Sequence, residues 1–186
     1  MQHRRARASG ASASIPSSSR DIVRPAHCRR LSIPRALPTE SKTMADENRG
    51  WTILESTSDD GGSTVYIRVK RYEDAFPHAE MPEKLALVWK FSHAGSGMPT
   101  TEEMKALEEF EDRICDAVED DHHATLSAVF TGAGERAWIF YSRDVDGFMQ
   151  RLSNMPHPDG AYPIEIDHET DAEWEFHRQF PREEER

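Results

Sequence analysis

Cysteine is scarce: the chain has two, Cys28 and Cys115, far apart and in no C-x-x-C pairing. A disulfide framework and a cysteine-rich zinc site are therefore excluded, and the chain reads as a reduced, cytoplasmic protein. Long apolar runs are lacking as well. A stretch such as Leu85 to Trp89 is five residues long, against the roughly 18 that a membrane-spanning helix needs, so no membrane is expected among the partners. Phosphate-binding glycine loops are missing too. Gly132-Ala133-Gly134 has no third glycine and no helix after it, and a tight turn accounts for it. Ser96 stands between two glycines but outside the G-x-S-x-G pattern of a nucleophile elbow. Neither H-x₃-H nor H-E-x-x-H occurs, and no cofactor is expected.

Acidic charge is what the sequence has in excess, and it is unevenly spread. Of 23 basic side chains nine fall in residues 1–43, which hold only two of the 34 acids, Asp21 and Glu40. The remainder is 14 basic and 32 acidic groups, so the first 43 residues carry +7 and the rest −18. Residues 1–43 are rich in Arg, Ser, Ala and Pro, without an apolar period, and read as a disordered basic tail. The tail is too polar for a secretory signal, and its Arg and Ser content suits an organellar transit segment. The simplest reading makes Met44 the true start, with a single α+β domain over 44–186 and its core over 51–181.

Hydrophobic periodicity sets out the elements of that domain. Trp51 to Glu55 and Thr64 to Lys70, around Asp59-Asp60-Gly61-Gly62, read as a β-hairpin. Residues 72–82 read as a loop. Lys84 to Ser92 alternates, with Leu85, Leu87, Trp89 and Phe91 on one face and Ala86, Val88 and Lys90 on the other. Thr100-Thr101-Glu102-Glu103 has the form of a capping box, and Met104, Leu107, Phe110, Ile114 and Val118 then form one helical stripe, with Cys115 at its edge. Ala124 to Phe130 and Arg136 to Ser142 read as a second hairpin. Asp144 caps a helix with Val145, Phe148, Met149 and Leu152 on one side. Tyr162 to Ile166 reads as a last strand, and Asp171 as the cap of a brief closing helix containing Trp174 and Phe180, residues that also fit a strand.

From Lys84 this order is strand, helix, strand, strand, helix, strand. It predicts a ferredoxin-like split βαβ (βαββαβ) antiparallel sheet with two helices on one face, preceded by a β-hairpin. The other face carries Val88 and either Trp138 with Phe140 or Ile139 with Tyr141, which is too apolar for water. The hairpin, or a second subunit, is expected to cover part of it, which leaves monomer and homodimer both open.

The residues resemble a bacterial family known as domain of unknown function 695. The resemblance rests on Trp51, Leu85-x-x-Val88-x-x-Phe91, Gly97-Met98-Pro99, Glu111-Asp112 and Thr131-Gly132-x-Gly134-x-Arg136. It continues through Phe140-Tyr141, Asp171-x-x-Trp174 and Phe180-Pro181. Such domains are similar to ribonuclease E inhibitors of the regulator of ribonuclease activity B family. The resemblance implies an RNA-processing enzyme as partner and assigns no catalytic residue.

Two clusters could carry chemistry. Glu119-Asp120-Asp121-His122-His123 places acids at the unfavourable end of a helix macrodipole, and a cation held by His122, His123 and Asp120 would relieve them. Adjacent histidines point about 100° apart, however, so a solvated helix end is the simpler account. Asp167 to Asp171 puts carboxylates beside His168, the ingredients of acid/base work if a pocket shifts one of them. Arg136, Trp138, Tyr141, Asp171 and Trp174 are the candidate binding residues, because surface aromatics on such a sheet stack RNA bases. A body at −18 repels phosphate, so no direct nucleic-acid contact is expected. The reading is a non-catalytic acidic binding or regulatory module that docks on basic protein surface. The alternative is a small enzyme or a ligand- or metal-binding domain using His122/His123 or Asp167 to Asp171.

Overall fold

A computed structural model describes residues 50–57, 64–92, 97–157 and 160–180. Six strands and three helices follow one another: β1 (Trp51–Thr57), β2 (Thr64–Lys70), β3 (Glu83–Lys90), α1 (Thr101–Val118), β4 (Ala124–Gly132), β5 (Glu135–Ser142), α2 (Val145–Asn154), β6 (Ile164–Thr170) and α3 (Glu175–Arg178). The strands form one sheet in the order β1-β2-β4-β5-β3-β6, with every pairing antiparallel. The protein is therefore α+β. The Asp59 to Gly62 turn, His93, Ser96, Pro181 and residues 1–49 lie outside the described residues.

Local sequence explains the helices. Thr100 accepts a hydrogen bond from the Glu103 amide, and the Glu103 carboxylate accepts one from the Thr100 amide, which completes the capping box. Leu107, Phe110, Ile114 and Val118 are buried on the α1 stripe, each worth roughly 1.5–3 kcal/mol of transfer from water. Asp144 caps α2 through the Gly147 amide, and Phe148 and Leu152 face the same core. Met149, expected on that stripe, instead stands 39% exposed.

The sheet separates two cores. Leu85, Leu87, Trp138 and Phe140 pack with α1 and α2. Ala86, Val88, Ala137, Ile139 and Tyr141 line the opposite face. A β-bulge between Leu126 and Ala128 shifts the alternation, so Leu126 faces the helices while Ala128 faces the second core. The turn from β4 to β5 depends on Gly132. Its φ is +150°, and a Cβ there would stand 2.3 Å from the Thr64 carbonyl oxygen of the neighbouring strand.

The N-terminal hairpin corrects an expectation. It does not lie over the second face; β2 pairs edge-on with β4 and extends the sheet in its own plane, making it six-stranded. The apolar side chains Leu54, Ile67 and Val69 continue the second core sideways, so the backbone edge of β4 is paired and not left open. The cover comes from two other segments: Tyr72, Phe76 and Met81 in the connection before β3, and Trp174, Phe176 and Phe180 at the C-terminal end.

Candidate functional site

The five candidate binding residues fall into two clusters on opposite faces of the sheet. On the helix-bearing face, Glu111 of α1 bridges Arg68 of β2 and Arg136 of β5. The same carboxylate accepts a 2.8 Å hydrogen bond from Trp138 Nε1. Burial alone would raise the Glu111 carboxyl, but the two guanidiniums and their hydrogen bonds outweigh it and hold the group below the usual carboxylate range. Arg136 is 5% exposed, and its Nη1 also reaches Met104 Sδ at 3.3 Å. Arg68 in turn lies 5.2 Å from the centre of the Trp51 ring. This network ties α1 to β2 and β5.

On the other face, Trp174 stacks on Tyr141 with ring centres 3.7 Å apart and planes 11° from parallel. Tyr141 donates a 2.6 Å hydrogen bond to Asp171 Oδ2. The Asp171 carboxylate also accepts from the amides of Glu175 and Phe176 at 2.8 and 3.1 Å, so it serves the start of α3. Partial burial works to raise Asp171, but the Tyr141 hydroxyl and those two amides prevail and lower it. Burial, then the Asp171 contact, raises the Tyr141 phenol. Trp174 Nε1 donates to the carbonyls of His78 and Met81 at 3.0 and 2.9 Å. Its backbone is left-handed, φ 54°, a conformation that costs an ordinary residue about 1–2 kcal/mol and is held here by those contacts.

The remaining candidates separate. His122 is exposed; His123 is buried beneath the first turn of α2, 3.8 Å from Asp144. Glu119 is occupied by Lys70, the Thr125 hydroxyl and the Leu126 amide. Asp121 takes a two-oxygen contact from Arg151 at 3.1 and 2.8 Å. Asp120 lies exposed in the turn between α1 and β4. Asp167 to Thr170 run along β6, an edge strand. Among the described residues no group of three or more His, Cys, Asp or Glu side chains is placed to hold a metal ion.

Several partners were not singled out from the sequence. Arg68 sits at a half-buried strand position with nothing local to mark it. Ser127, fully buried at the bulge, contacts His177 Nδ1 at 2.7 Å, a pairing fifty residues apart. Tyr72 donates to the Leu126 carbonyl at 3.1 Å from a stretch with no period. A shallow groove of about 180 Å³ between α2 and β6, lined by Met149, Leu152, Tyr162 and Ile164, also had no motif.

Fold and clusters thus define an α+β domain whose buried polar groups hold its own elements together. A family model described as a family of unknown function (DUF695) matches residues 49–180, and the chain belongs to that family. No curated protein and no solved structure matches it. No helix among the described residues is long and apolar enough to cross a membrane.

Proposed function

We propose that this protein is a non-catalytic acidic module of the cytoplasm that docks on the basic surface of an RNA-processing enzyme. The observation that carries the reading is where the charge remains once the fold has used what it needs. Glu111, Glu119 and Asp171 are engaged by the fold's own donors, whereas Glu102, Glu108, Asp112 and Asp116 line the exposed side of α1 beside Glu109, which pairs with Lys105 and Arg113. Residues 44–186 carry −18 in all. Such a surface attracts basic protein and competes with RNA for it, with contacts that weaken as salt rises. The likeness to the regulator of ribonuclease activity B family belongs to this proposal. So does a ferredoxin-like reading of β3 to β6, supported by the run β4-β5-β3-β6 and by α1 and α2 sharing one core.

The test is affinity capture on the full chain at low and high salt, with retained proteins identified by mass spectrometry. An RNA-processing enzyme held at low salt, released at high salt and slowed in RNA cleavage by added protein supports the reading. Recovery of no such enzyme overturns it.

A further inference from the structure

We propose that β6 is a docking edge that accepts one extended strand from a partner protein, a strand in which Lys or Arg alternates with aliphatic residues. The inference takes up the docking reading above and gives it a surface and a partner chemistry.

β6 ends the sheet, pairing with β3 alone among the described strands. Alternate residues of an antiparallel strand turn both backbone groups away from the partner they pair with. The amides of Ile164 and His168 bond to the Tyr162 carbonyl and to Asp167 Oδ1, outside the ladder. This assigns Ile164, Ile166, His168 and Thr170 to the outward set, the side to which an incoming strand would pair.

The side chains specify the visitor. Glu165, Asp167 and Glu169 are exposed at period two, opposite Val88, Ala86 and Lys84, hence on the second face. Lys90 and Lys84 already pair with Glu165 and Glu169 from the β3 side. The open side of the same row would take basic residues from an added strand as cross-strand partners. Between them lie Ile164 and Ile166, half buried on the helix-bearing face. The groove of about 180 Å³ lined by Met149, Leu152, Ala161, Tyr162 and Ile164 adjoins the start of that row. An aliphatic side chain opposite Ile164 would fill it, covering Met149, one of two large hydrophobics exposed among the described residues. A second copy fits poorly, because pairing β6 with itself sets acids against acids.

The test titrates ¹⁵N-labelled full chain with a capped eight-residue peptide alternating Lys and Val, with a Glu/Val peptide as control. The expected result is amide shifts at Ile164 to Thr170 and around the groove with the Lys/Val peptide alone. Binding should weaken at least tenfold in Asp167→Lys and, separately, in Met149→Glu; both positions are exposed, and each variant's fold is checked by its melting curve. No binding, shifts elsewhere, equal binding of the acidic peptide, or affinity kept within twofold by both variants overturns the proposal. Self-association abolished by Asp167→Lys would make a second copy the occupant and overturn it. Contacts from residues 1–49 to β6 in the free chain would do so in favour of the chain's own N-terminal segment. A captured RNA-processing enzyme that both variants still bind removes this surface and leaves the docking reading. Peptide binding at β6 with no such enzyme recovered does the reverse.

Discussion

Gly147 and His123 meet so closely that a Cβ on Gly147 would stand 2.5 Å from Cε1 and 2.6 Å from Nε2 of the imidazole. The glycine is required by this contact, since it lies within α2, where Ala is the better helix former by about 1 kcal/mol. Overpacking a buried contact costs about 1–3 kcal/mol. Gly147→Ala is therefore expected to destabilise the protein by about 1 kcal/mol in urea unfolding. In a His123→Ala background the same change should stabilise it. A double-mutant cycle without that reversal of sign would refute the contact as the cause.

The Glu111 network supplies a larger effect. Removing the carboxylate leaves Arg136, 5% exposed, as an uncompensated buried cation. Glu111→Ala should cost about 3–5 kcal/mol by chemical denaturation, and Glu111→Gln less, since the amide oxygen can still accept from Trp138 Nε1. A loss under 1 kcal/mol for the alanine variant would show that the buried pair is not what anchors α1 to β2 and β5.

Asp171 gives a pH dependence of definite sign. Its folded-state pKa is lowered, so its contribution is complete above the unfolded value near 4 and is lost as pH falls through the folded value. Unfolding free energy measured from about pH 6 downward should decline below about pH 5, and Asp171→Asn should flatten that decline. Glu111, also lowered, acts in the same direction, so the variant keeps part of the slope.

Trp174 separates apolar burial from hydrogen bonding. Trp174→Ala deletes a fully buried ring and should cost about 3–5 kcal/mol. Trp174→Phe keeps an aromatic against Tyr141 but removes the donor to the His78 and Met81 carbonyls, for about 1–2 kcal/mol. Equal losses in thermal unfolding would mean that the two hydrogen bonds, and not the buried ring, carry the stabilisation; an unchanged Trp174→Phe would mean they contribute little.

What was legible in the sequence was set by short-range order. Thr100 and Glu103 announce the start of α1, and Leu85 to Phe91 show their two faces by alternation alone. Whether Trp138 with Phe140 or Ile139 with Tyr141 faced the helices was not decidable, because both sets are equally apolar. The structure gives the helix side to Trp138 and Phe140. The bulge beside Ser127 leaves no signature, since Leu126 and Ala128 look alike to a period-two count. The in-plane hairpin escaped because pairing between β2 and β4 is written in backbone hydrogen bonds, which any residues can supply. Of the candidate site, Asp171 was expected as the cap of the closing helix; Trp174 holds that position, and Asp171 reaches the Glu175 and Phe176 amides from three residues before it. That it joined Tyr141 and Trp174, while Arg136 and Trp138 joined Glu111 behind the sheet, depends on contacts far apart in the chain.

Trp174, Phe176 and Phe180 cover Ile139 and Tyr141 from the last stretch of the chain. During synthesis the N-terminal parts emerge first. All six strands can therefore be made before the second face receives the Trp174, Phe176 and Phe180 part of its cover. A nascent chain stalled or clipped before Trp174 would leave Ile139 and Tyr141 sticky, a target for chaperones, until that segment folds over them.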